Sequence, residues 1–134
     1  MTIAAGFNFD HGVLLCADTK HSGDMALYES KVAKKEYPSG AQSVCVFAGS
    51  SKYAHMAIRK VESALSALKR PSLSAMEREI EKVLLQVHRD HIFKHPDRNS
   101  WTGPNIWLLI GLWSPVDGLC AYSTEETAIT PFYG

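Results

Sequence analysis

The chain has 134 residues, 46% of them hydrophobic, with 14 Lys and Arg balanced by 14 Asp and Glu. That length suits one domain, residues 1–134, large enough to bury about two-thirds of its unfolded surface without disulfide or metal staples. Zero net charge removes the electrostatic case for nucleic acid or an anionic membrane as partner.

Cys16, Cys45 and Cys120 lie in apolar runs without framework spacing, which reads as reduced thiols rather than a disulfide scaffold. The opening Met-Thr-Ile-Ala-Ala-Gly has neither the basic stretch nor the apolar core of a signal peptide. The longest apolar run, Ile106 to Trp113, is too short to span a bilayer. A soluble, cytoplasmic protein without a cofactor is expected.

Ile3, Ala5, Phe7 and Phe9 alternate with smaller or polar residues, the period of a strand, and Asp10-His11-Gly12 turns the chain into a second strand at Val13–Ala17. Further strands are predicted within Ala26–Tyr37 and over Ala41–Ala48. The run Ser43 to Ala48 is apolar enough to be covered on both faces. Ala48-Gly49-Ser50-Ser51 launches a helix whose stripe is Tyr53, Ala57, Val61, Ala64, Leu65 and Leu68, and Pro71 ends it. A second helix is predicted from Ser74, with Glu77 completing a capping box and Met76, Ile80, Val83, Leu84, Val87 and His91 facing inward. Ile106–Trp113 and Leu119–Tyr122 read as a hairpin, with one more strand over Ala128–Tyr133. Grouped strands and helices of this kind imply packed sheets covered by helices.

His91 and His95 are spaced to share a helix face and could clasp a metal, which makes a small metal-binding module one reading. No nearby Cys or Glu completes a ligand set, so histidines near a helix C-terminus, favoured by its dipole, are the simpler account and no metal is expected.

Three local patterns coincide in order: Thr2-Ile3 opening the first strand, Ala17-Asp18-Thr19-Lys20 ending the second, and Phe47-Ala48-Gly49-Ser50 at the strand-to-helix corner. Together they resemble the proteasome β-subunit family of N-terminal-nucleophile (Ntn) hydrolases and its bacterial two-component relative, over most of residues 2–124. The resemblance implies an α+β fold of the αββα sandwich type. It also implies a threonine endopeptidase with Thr2 as nucleophile, Asp18 and Lys31 as its charged partners, and the Gly49 N–H as oxyanion donor. An ungapped count puts Lys34 at the lysine position, whereas lysine followed by a β-branched residue favours Lys31-Val32. The sequence leans to Lys31 with Lys34 kept open.

The chemistry accounts for such a set. A threonine hydroxyl needs a base, which the chain's own α-amine can supply. That amine titrates at roughly 7.7–8, so part of it is neutral near pH 7. A lysine ammonium favours the deprotonated amine and hydroxyl, and a carboxylate holds the lysine in place. A glycine N–H opening a helix stabilises the tetrahedral oxyanion. Each residue also has an ordinary structural explanation, as Asp at a turn or Lys on a solvated face, and their order in the chain is what favours the functional one.

The expected activity is peptide-bond hydrolysis after removal of Met1. The substrate would be a peptide or unfolded protein, the assembly a homo-oligomeric ring, and any ATPase partner remains unspecified. The alternative is a catalytically inactive structural or assembly subunit, because the chain stops at Gly134 where the family continues into further helices and strands. The resemblance also places a specificity pocket near Phe47, Ser51 and Tyr53.

Overall fold

A computed structural model describes residues 3–18, 20, 21, 27, 28, 31–100 and 103–132. Strands β1 (Ala4–Phe9) and β2 (Gly12–Ala17) form an antiparallel hairpin. Lys20–His21 (β3) and Leu27–Tyr28 (β4) make a short two-stranded ladder. A five-stranded antiparallel sheet follows in the order β5 (Val32–Glu36), β6 (Gln42–Gly49), β7 (Ile106–Ser114), β8 (Gly118–Glu125) and β9 (Ala128–Pro131). Helices α1 (Ser51–Ser66) and α2 (Leu73–Val87) lie between β6 and β7 in the chain. Among the described residues, no helix is long and apolar enough to cross a membrane.

Strand alternation sorts the sheet's side chains. Cys45, Phe47, Ile106, Leu108, Ile110, Leu112 and Tyr122 point to the helices, where they meet Ala57, Val61 and Leu65 of α1 and Met76, Ile80, Leu84 and Val87 of α2. Fully burying each large aliphatic side chain contributes roughly 1.5–3 kcal/mol. The α2 residues marked by the 3.6-residue period are buried, apart from His91 in the turn beyond it. The start of α2 differs from expectation. Ser72, not Ser74, caps it, its hydroxyl accepting the Ala75 N–H at 3.2 Å, and the Asp117 carboxylate takes the Leu73 N–H at 2.7 Å. Glu77 is thereby free of capping and accepts the Tyr122 hydroxyl across to β8.

The opposite face of the sheet receives the hairpin. A methyl on Gly111 would lie 2.9 Å from Val44 Cγ1 and 3.3 Å from Val13 Cγ1, and one on Gly6 would meet Leu15 and Phe132, each at 3.0 Å. These two glycines let the layers approach. The hairpin's outer side carries Ile3 (59% exposed), Phe7 (55%), Phe9 (59%) and Leu14 (53%).

The expected αββα sandwich is therefore corrected. The described residues form an α+β arrangement with a five-stranded sheet, two helices on one of its faces and a hairpin on the other. The outer hairpin side chains are exposed, so no described helix supplies a fourth layer. Period-two and period-3.6 patterns identify individual elements, but the number of layers depends on what covers each outer face.

Gly111→Ala is expected to destabilise the chain by about 1–3 kcal/mol, as overpacking does, because both valines must shift. Urea denaturation measures it, and an unchanged midpoint would show that the hairpin does not sit tightly on β6 and β7.

Candidate active site

The hairpin register, with Ala4 opposite Ala17, places Ile3 opposite Asp18. Asp18 donates its backbone N–H to the Ile3 carbonyl at 3.0 Å, and its side-chain Oδ1 accepts the Ile3 N–H at 3.1 Å. The same Oδ1 accepts from Lys31 Nζ at 3.0 Å. Lys31 immediately precedes β5 and is 2% exposed, so a buried ammonium from the five-stranded sheet meets the carboxylate at the end of the hairpin. The Lys31 hydrogen bond, followed by the Ile3 N–H, lowers the Asp18 pKa below the ordinary carboxylate value.

Of the sequence-predicted residues, Asp18 and Lys31 are thus brought together. Lys34 is not part of this pair; it lies along β5 and lines a cavity with His11, Gly12 and Trp113. Thr2 lies outside the described residues. It immediately precedes Ile3, whose N–H is the one on Asp18.

Gly49 ends β6 with φ +98°, a conformation that L side chains rarely adopt. A Cβ there would also lie 2.6 Å from the Asn105 carbonyl oxygen and closer still to its Oδ1. Glycine is therefore required at this corner for two independent reasons. Ala4, next to Ile3, and Ala48, next to Gly49, line one cleft of about 300 Å³ with Trp107, Leu108, Leu109, Ser123 and Thr124. Phe47, expected near a specificity pocket, is instead 2% exposed in the core, with its ring edge against His55. The cleft residues Trp107 and Ser123 were missed from sequence because the β6–β7–β8 register, which sets Trp107 opposite Ala48 and Ser123 opposite Leu109, is what gathers them.

The histidine cluster resolves differently. A π-helical turn over His88–Ile92 breaks the regular spacing. His88 donates Nδ1–H to the Leu84 carbonyl at 2.8 Å, His91 packs against the Tyr53 ring, and His95 Nδ1 accepts the Asp97 N–H. Among the described residues, no three His, Cys, Asp or Glu side chains gather as a metal site.

No family model and no curated protein matches the sequence significantly. Solved structures do match. The chain is similar in fold to Anbu. The Gly-1 mutant of Anbu from Hyphomicrobium sp. strain MC1 superposes with a TM-score of 0.77 at 14% identity, over 99% of this chain and 56% of that one. The helical assembly of the Anbu complex from Pseudomonas aeruginosa gives 0.77 at 13%, over 99% and 57%. Anbu from Yersinia bercovieri, described as an ancestral beta-subunit, gives 0.75 at 12%, over 99% and 57%. The chain therefore spans just over half the length of these solved chains.

These matches correct the assignment to the proteasome β-subunit family of Ntn hydrolases. The matched chains are Anbu, and at such identities the likeness carries the fold alone. Thr2-Ile3, Ala17-Asp18 and Ala48-Gly49 mark a hairpin and a strand-to-helix corner, and backbone features of that kind do not by themselves carry an enzyme class.

Asp18 stabilises the fold through its charged form. A carboxylate with a lowered folded pKa contributes stability above its unfolded value, near 3.9, and loses it as pH falls through the folded one. Asp18→Asn is therefore expected to melt below the parent chain at pH 7, with the gap closing below about pH 4. Melting temperature against pH measures this, and a gap independent of pH would contradict the ion pair.

Proposed function

We propose that the chain is a threonine-type peptidase that hydrolyses peptide bonds with Thr2 once Met1 is removed. The observation that carries this reading is the Asp18 carboxylate held between the Ile3 N–H and the buried Lys31 ammonium. The amide on Asp18 belongs to the residue after Thr2, so the positive charge of Lys31 acts beside the chain's first strand. There it favours the neutral α-amine as base and the Thr2 oxygen as nucleophile. The hydroxyl attacks the scissile carbonyl, the amine takes its proton and returns it to the leaving amine, and water then releases the acyl group from Thr2 by the reverse sequence. The Gly49 N–H serves as donor to the tetrahedral oxyanion, and the cleft between Ala4 and Ala48 receives the peptide.

A second reading, an inactive structural or assembly subunit, is favoured by one observation: the exposed apolar row Ile3, Phe7, Phe9 and Leu14. Surfaces of this kind mark contacts with other polypeptides. Under either reading we propose homo-oligomeric association, in keeping with the helical assembly formed by the Pseudomonas aeruginosa Anbu complex. A ring remains the arrangement proposed for the peptidase.

Thr2→Ala decides between the two. Under the peptidase reading, hydrolysis of fluorogenic peptides by the Met1-free chain falls to background in this variant, while the melting temperature stays within about 2 °C, since a small change near a chain end has little effect on stability. Equal hydrolysis by Thr2→Ala excludes Thr2 as nucleophile, and a parent chain without hydrolysis favours the assembly subunit.

A further inference from the structure

Ser50 stands at the N-cap of α1 in extended conformation, where a serine hydroxyl ordinarily accepts an N–H of the first helical turn, yet its side chain makes no capping bond. The hydroxyl faces the other way. Ser50 Oγ accepts the Asn105 N–H at 3.2 Å, and the Ser50 N–H donates to the Asn105 carbonyl at 2.8 Å. The two residues are thus joined by a reciprocal pair of bonds between the end of β6 and the residue leading into β7. Asn105 is also the residue whose carbonyl oxygen and Oδ1 fill the space that a Cβ on Gly49 would need.

We infer that Ser50 is a positioning residue, which through Asn105 holds Gly49 at its left-handed φ and so aims the Gly49 N–H. The inference rests on the peptidase reading, in which that N–H receives the oxyanion. Glycine has the widest backbone freedom of any residue, so a donor on glycine needs outside restraint to keep one direction. The Ser50–Asn105 pair restrains Gly49 on its C-terminal side, and the pairing of Ala48 with Trp107 restrains it on the other. The Ser50 N–H, committed to Asn105, fixes the peptide plane that follows Gly49. The Ser50 hydroxyl keeps the Asn105 backbone against Gly49. Because the hydroxyl does not cap α1, removing it takes nothing directly from the helix.

An oxyanion donor strengthens its contact in the transition state, so misaiming it lowers kcat and leaves KM nearly unchanged. For the Met1-free full chain acting on a fluorogenic peptide, Ser50→Ala is expected to lower kcat about tenfold, a fraction of what losing a whole oxyanion donor removes. KM should stay within about twofold, because substrate binding is not what the donor improves. Ser50→Thr, which keeps the hydroxyl, is expected to restore kcat. If Ser50→Ala fails to fold, Ser50→Gly replaces it, since glycine is well accepted at N-caps.

An unchanged kcat in the hydroxyl-free variant overturns the positioning role and leaves the peptidase reading intact. So does a loss that Ser50→Thr does not restore, or one carried by KM. Absence of hydrolysis by the parent chain removes the peptidase reading itself, and this inference with it.

Discussion

Asp18 joins three parts of the chain through one side chain and one amide. Its Oδ1 accepts the N–H of Ile3, at the start of the first strand, and the ammonium of Lys31, at the start of the five-stranded sheet, while its own N–H closes the hairpin onto the Ile3 carbonyl. A buried ammonium is costly unless it is paired, and this carboxylate supplies Lys31 with a counter-charge. The hairpin in turn is fixed to the sheet at the end where the candidate site lies. If the carboxylate is lost, the Ile3 N–H and the lysine lose the same acceptor together.

The remaining geometry follows from how closely two sheets can approach. Gly6 and Gly111 leave room for Leu15, Phe132, Val13 and Val44, so the hairpin rests on the sheet opposite the helices. That placement brings Ala4 and Ala48 into one cleft. Gly49 has a separate role, turning β6 into α1 at a φ that other residues rarely adopt, against Asn105. Charge, cleft and corner thus come from three different local constraints that meet at the same end of the molecule.

Much of this was legible in the sequence. The alternation of Ile3–Phe9, the turn before Gly12 and the periodic stripe of α2 fixed strands and helix because backbone period and side-chain burial are directly linked. Counting put Lys34 at the lysine position and the local pattern leaned to Lys31, since a loop of variable length precedes both; the pairing of Lys31 with Asp18 is a contact between strands that neither signal carries. Other features depend on distant partners and were out of reach. The cap of α2 moved to Ser72 because Asp117, far along the chain, takes the Leu73 N–H. The diverted Ser50 hydroxyl depends on Asn105, and the regular histidine spacing was broken by a π turn. The family-level expectation overreached for a related reason: short motifs carried the hairpin and the corner but not the number of layers or the enzyme class.

The proposed activation of Thr2 by Lys31 and Asp18 is tested directly by acylation. The Met1-free chain is treated with a β-lactone, whose ring opens on attack by a hydroxyl and adds its whole mass as an ester, and the product is followed by intact mass and peptide mapping. A single adduct on Thr2 is expected, lost in a folded Lys31→Met variant. No adduct on Thr2, or an equal adduct without Lys31, would contradict it.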